Sequence, residues 1–90
     1  MKLSNNPSLS IIIPVLNEES NIVRLLEYIR ENSSNVNIKE ILVVDGGSTD
    51  ETKEAASKYE VLVLHSEKGR ARQMNLGAEN AKGEVLYFLH

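Results

Sequence analysis

Four short runs dense in Val, Ile and Leu limit what this chain can fold into: "LSIIIPV" (9–15), "EILVVD" (40–45), "VLVLHS" (61–66) and "VLYFLH" (85–90). They are nearly continuous rather than alternating, the signature of parallel strands covered on both faces. Three segments with helical character separate them. Ile22, Leu25, Leu26 and Ile29 follow the i, i+3, i+4, i+7 spacing of one helix face. A short segment at about 50–59 offers Ala55, Ala56 and Tyr59 as its apolar side. A third, about 70–81, carries Ala71, Met74, Ala78 and Ala81, small enough for close packing on a sheet. Gly83 is placed to cap its C-terminus. The order β-α-β-α-β-α-β predicts a doubly wound α/β sheet with right-handed crossovers.

Size and charge narrow the function. Ninety residues make one domain or part of one, and a chain of this size buries only about 60–65% of its unfolded surface. It ends at His90 on the fourth apolar run with no helix to cover it, which predicts a truncated domain. Absent cysteine excludes disulfides, thiol catalysis and thiolate zinc sites. The net charge of −3 and scattered basic residues argue against nucleic acid as a partner. The N-terminus "MKLSNNPSLS" lacks the apolar stretch of a signal peptide. The apolar runs are far short of the ~20 residues that span a bilayer, so this part holds no transmembrane segment. The reading is a soluble, cytoplasmic chain, with membrane association of the intact protein left open.

The unusual polar residues follow the strands. "PVLNEES" comes after the first, "DGGSTD" after the second and "HSEKGRAR" after the third, whereas "NVNIKE", "KYE" and "AKGE" read as plain solvent-facing turns. Ligands of open α/β sheets sit beyond the carboxyl ends of the strands, so this asymmetry predicts a site there. Pro14 ends the first strand because it cannot donate to the ladder. Asn17, Glu18 and Glu19 are either capping and first-turn acids of the first helix, with Asn17 or Ser20 as the cap, or groups facing a polar ligand. Asp45 is either an Asx-type acceptor for the loop amides or a ligand for a base or ribose. Gly46 and Gly47 allow a sharp turn or close approach, and Ser48 with Glu51 matches a capping box. Arg70 and Arg72 place positive charge at a helix N-terminus, against the dipole, which points to an anion such as a diphosphate; the alternative is a solvated basic turn balanced by Glu67. His65 reads as a satisfied structural histidine, and spacing gives His90 no role. No histidines or acids have metal-ligand spacing, and neither a Walker lysine motif nor GxGxxG is present.

Taken together, "SIIIPVLNEESNI", "EILVVDGGSTDET" and "GRARQMNLGAENAKGEVLYFLH" resemble the N-terminal half of family 2 glycosyltransferases with the GT-A fold, over roughly residues 8–90. The branch resembled has DGGSTD as its second motif. The resemblance implies a Rossmann-like nucleotide-binding half, mainly a parallel four-stranded sheet in the order 3-2-1-4. The implied reaction is transfer of a sugar from a UDP- or GDP-sugar donor to an acceptor, with inversion. It implies that Pro14, Asn17 and Glu18 border the nucleotide pocket, that Asp45 lies by the base or ribose, and that Gly69 to Arg72 lie by the base and diphosphate. Asn75 matches an asparagine of the same helix motif. Gly46 stands where many relatives have a base-recognising acid. Residues 1–90 would then be an incomplete domain, ending before the metal-binding DxD motif and the catalytic base. Mg²⁺ or Mn²⁺ is expected for the intact enzyme and none for this part, which is expected to be inactive alone, with no catalytic residue of its own. A nucleotidyltransferase is disfavoured because "PVLNEES" is no glycine- and arginine-rich loop. A rival of another class is a non-catalytic module that self-associates through an exposed fourth strand, residues 85–90.

Overall fold

The computed structural model describes residues 4–90. Four strands form one parallel sheet: β1 (Leu9–Val15), β2 (Ile38–Asp45), β3 (Leu62–His65) and β4 (Val85–Phe88). Three helices connect them: α1 (Glu19–Asn32), α2 (Thr52–Ala56) and α3 (Arg70–Asn80). The strand order is β3-β2-β1-β4, as the family topology implies. The chain therefore steps outward from β1 through β2 to β3, then returns to the far side of β1. This reversal opens a crevice beside the carboxyl end of β1, the ligand position of open α/β sheets.

Pleating sends alternate residues of the central strands to opposite faces. Ile11, Ile13, Val15 and Val43 join Ile22, Leu26 and Ile29 of α1 and Ala56 of α2 in one core. Ile12, Leu42 and Val44 form a smaller core on the other face, with Leu76 and Ala78 of α3 packed against it. The predicted face of α1 is the observed one. That of α3 is corrected in part: Ala78 and Ala81 pack on the sheet as expected, but Ala71 is exposed, and the buried positions are Gln73 and Gly77. Gly77 brings α3 down onto the sheet, since a Cβ there would lie 2.5 Å from Cγ2 of Ile12. Coverage on both faces holds for β1 and the second half of β2, whereas β3 and β4 are edges. Leu62, Leu86, Tyr87 and Phe88 are all exposed. His65 is exposed as well, at the end of an edge strand rather than inside a core.

The expected helix caps are replaced by other contacts. Neither Asn17 nor Ser20 caps α1; its N-cap position is Glu18, without a side-chain hydrogen bond. The Ser48–Glu51 capping box does not form, because the Ser48 hydroxyl donates to Asp45 and α2 begins only at Thr52. Asp50 instead accepts from the amide and hydroxyl of Thr52. Past α3 the C-cap is Ala81 in an extended conformation, and Gly83 serves packing: a Cβ there would sit 2.6 Å from Ser10 Oγ. The edge of plain turns is also tied together. Glu40 Oε2 accepts from the buried Ser10 hydroxyl at 2.6 Å and from the Lys82 amide at 2.5 Å, and the Gly83 amide donates to Ser10 Oγ at 2.8 Å.

Candidate nucleotide site at the sheet edge

The register places Val15, Asp45 and His65 side by side, so the three βα loops leave the sheet together. A hollow of about 330 Å³ opens where β1 faces the start of α3 and the chain beyond β4. Its lining comprises Pro14, Val15 and Leu16 from the end of β1, Glu18, the turn Lys68–Gly69–Arg70, Gln73 and His90. This is the crevice at the strand-order reversal. Four of the residues singled out from sequence, Pro14, Glu18, Gly69 and Arg70, thus meet at one pocket. Gly69 has φ 140°, a conformation that favours glycine, and turns the chain into α3. The first turn of α3 holds no acid. The positive end of its dipole and the cations of Lys68 and Arg70 face an opening in which Glu18 is the sole carboxylate side chain.

The other four residues lie beside the pocket rather than on its lining. Asp45 is fully buried and organises the loop after β2. Its Oδ2 accepts from the Gly47 and Ser48 amides at 2.8 and 2.9 Å, and its Oδ1 from the Ser48 hydroxyl at 2.5 Å. Burial pushes this carboxyl up, but the Ser48 hydroxyl, the two amides and the nearby Lys53 outweigh it, so its pKa falls below the ordinary aspartate value. Asn17 takes the left-handed conformation, φ 51°, and clasps two loops together. Its Oδ1 accepts from the Thr49 amide at 2.8 Å and the Asp50 amide at 3.3 Å, while its own amide donates to Ser48 Oγ at 2.9 Å. Gly46 is buried against the Gln73 side chain. Arg72 pairs with Glu67 at 2.6 Å on the outer side of α3, next to Asn75.

Gln73 is the residue that sequence reading missed. It is 4% exposed, and its Nε2 donates to the Val15 and Val44 carbonyls at 2.9 and 2.8 Å. A signal was present, since Gln73 precedes Gly77 by four residues and the two share a helix face. Lys68, the neighbour of the predicted turn, was also missed. A larger hollow of about 450 Å³ lies at the opposite edge, over Leu26, Ile29 and Ile41. Its Arg30 is committed to Glu27 at 2.8 Å and to the Tyr59 ring, 5.6 Å from the centroid, and Ser33, Ser34, Lys58 and Glu60 complete its polar lining, away from the carboxyl ends of the strands. Among the described residues no three His, Asp or Glu side chains gather as a metal site, and no helix is long and apolar enough to cross a membrane.

A parallel sheet of order 3-2-1-4 with helices on both faces and a crevice at its reversal defines an open, doubly wound α/β fold. The family model for glycosyl transferase family 2 matches residues 10–90, and the chain belongs to that family. It is 37% identical over 93 residues to the glycosyltransferase AglE of Haloferax volcanii, covering 96% of this chain and 31% of that protein. It is 34% identical over 86 residues to the glycosyltransferase GlyG of Streptococcus pneumoniae serotype 4, covering 87% of this chain and 28% of that protein. The chain thus spans about a third of the length of these relatives. Among solved structures it is similar in fold to glucosyl-3-phosphoglycerate synthase from Mycobacterium tuberculosis, crystallised with Mn²⁺, UDP and phosphoglyceric acid. There the TM-score is 0.76 at 24% identity, over 92% of this chain and 32% of that one. The same enzyme has also been crystallised with Mg²⁺ and UDP.

Proposed function

We propose that residues 1–90 form the nucleotide-binding part of a GT-A glycosyltransferase that moves a sugar from a UDP- or GDP-sugar to an acceptor with inversion, in the branch whose second motif reads DGGSTD. The observation that carries this reading is the crevice at the strand reversal, where Lys68, Arg70 and the N-terminus of α3 surround one opening. A diphosphate there would gain from both cations and from the helix dipole. Pro14, Leu16 and Val15 supply an apolar wall of the kind a base or ribose packs on. Asn17, Asp45 and Gly46 act one step back, by holding the two loops that frame the opening. Arg72 reaches the ligand only by leaving Glu67.

The residues of the pocket do not fit a divalent cation, because Glu18 stands alone among Lys68 and Arg70 and no three-ligand cluster exists among the described residues. No step through a metal is therefore derived from them, and sugar transfer by this chain alone is not expected. The cytoplasmic location read from the sequence belongs to the same proposal. The test is calorimetric titration with UDP, GDP and UDP-glucose, with and without Mn²⁺. Metal-independent binding of one nucleotide, weakened about tenfold by Arg70→Ala or Lys68→Ala and little by Arg72→Ala, is the expected result. Absence of binding at millimolar nucleotide would reject the reading.

A second reading rests on β4. Leu86, Tyr87 and Phe88 are 38%, 52% and 40% exposed on a strand with one unpaired edge. Such an edge pairs with another copy unless covered. Light scattering should then show concentration-dependent dimers that Leu86→Lys abolishes; a monomer at millimolar chain removes this reading.

A further inference from the structure

We propose that Gln73 is a positioning residue of the pocket. Its amide ties the Gly69–Arg70 turn to the carboxyl ends of β1 and β2, and position 46 is glycine because that amide fills the space a side chain would need. The inference rests on the nucleotide-pocket reading and adds to it the element that fixes the shape of the site.

Three observations converge. Both hydrogens of Gln73 Nε2 face carbonyls, that of Val15 at 2.9 Å and that of Val44 at 2.8 Å, on two adjacent strands. Two acceptors on one side dictate which way the amide points, since only the NH₂ end donates. The other end, Oε1, then faces the Gly69 amide at 3.3 Å. The side chain is thereby a bracket with one foot on each central strand and its head under the turn that presents Arg70. The Gly69 carbonyl accepts from the Gln73 backbone N–H at 2.9 Å, so the turn is held at both of its polar groups by one residue.

Gly46 supplies independent support. A Cβ built there would stand 2.7 Å from Gln73 Oε1, 2.8 Å from Cδ and 3.1 Å from Nε2. Gly46 has no positive φ, so nothing in its backbone demands glycine. The demand comes from Gln73. The nearest atoms belong to the end of a flexible side chain, so a residue with a Cβ would be accommodated by expelling the amide. Expulsion would unpair the turn while leaving the rest of α3 on the sheet, because Gly77 and Leu76 pack farther along the helix. The first turn, with the Arg70 guanidinium and its backbone N–H groups, is what would loosen.

The experiment uses the 90-residue chain with UDP and GDP as probes. It compares the wild type with Gln73→Leu, Gly46→Ala, Gln73→Ala and the Gly46→Ala/Gln73→Ala pair. Calorimetry gives nucleotide affinity well below the melting temperature, and NMR amide exchange reports on Gly69. For Gln73→Leu the expected result is exchange at Gly69 faster by about tenfold and affinity weaker by about tenfold, as for a misplaced binding element. Gly46→Ala should do the same with Gln73 still present, which keeps the test open if Gln73→Leu fails to fold. In the Gln73→Ala background Gly46→Ala should add nothing, since no amide remains to expel. A Gln73→Leu chain that binds nucleotide within about twofold of wild type overturns the positioning role, as does unchanged exchange at Gly69. A wild-type chain that binds neither nucleotide rejects the pocket reading itself, and the positioning role falls with it.

Discussion

Gly77→Ala tests the close approach of α3 to the sheet. At an exposed interior helix position this change is stabilising by roughly 0.5–1 kcal/mol, because alanine loses less backbone entropy. Here the new methyl would lie 2.5 Å from Cγ2 of Ile12 and 3.2 Å from Cγ2 of Val44. Carbon atoms prefer separations of about 3.5–4.0 Å, so the deficit against Ile12 is about 1 Å. Ile12 and Val44 are both fully buried, in the two central strands, and have nowhere to retreat. Overpacking of this kind costs about 1–3 kcal/mol. Lifting α3 by an ångström is no easier escape, because it would stretch the Gln73 bonds to Val15 and Val44 from 2.9 and 2.8 Å beyond hydrogen-bonding range. The two terms leave a net loss of about 1–2 kcal/mol. For a domain of this size that lowers the melting temperature by roughly 5–15 °C. Urea unfolding should show a lower midpoint with an unchanged slope. Glu79→Ala, on the exposed side of the same helix, is the control and should stay within about 0.5 kcal/mol. A Gly77→Ala chain that melts at or above the wild-type temperature would refute the argument.

Further expectations concern the loops and the acid limb. Asp45 has a pKa lowered against the push of burial by its Ser48 and Gly47 donors; that of Asp50 is lowered chiefly by the Thr52 hydroxyl, and that of Glu84 chiefly by the Ser4 hydroxyl. A depressed folded pKa gives stability that is present above the unfolded value, about 4 for these groups, and is lost as pH falls through the folded value. Unfolding followed from pH 6 to pH 2 should therefore show stability falling below about pH 4, and Asp45→Asn should flatten that limb while costing about 2 kcal/mol at pH 7. A limb unchanged by Asp45→Asn would remove Asp45 as a contributor. Asn17→Gly keeps the left-handed backbone and loses the clasp to Thr49 and Asp50, whereas Asn17→Ala loses both. The alanine chain should be less stable than the glycine chain by about 1 kcal/mol in denaturant unfolding.

Repeating units of apolar run and amphipathic segment made the α/β architecture legible without a structure, since strand and helix periodicities are local properties. The position of the site at the carboxyl edge was legible for the same reason, through "PVLNEES", "DGGSTD" and "HSEKGRAR" lying after strands. Local rules failed where a polar group had a better partner far away in sequence. Asn17 looked like a helix cap, yet it reaches Thr49, 32 residues on. Glu40 looked like a solvated turn residue until Lys82, 42 residues away, closed on it.

The sequence alone determined the order of elements, the edge on which polar residues collect and the family to which the chain belongs. Only the tertiary structure decided which of those residues line an opening and which hold the loops around it. It put Pro14, Glu18, Gly69 and Arg70 on the pocket, turned Arg72 outward and used Asp45 and Asn17 as braces. It also chose Gln73, whose partner Val15 is 58 residues distant. A buried amide must find acceptors wherever the packed chain leaves them, and no spacing along the sequence records where that will be.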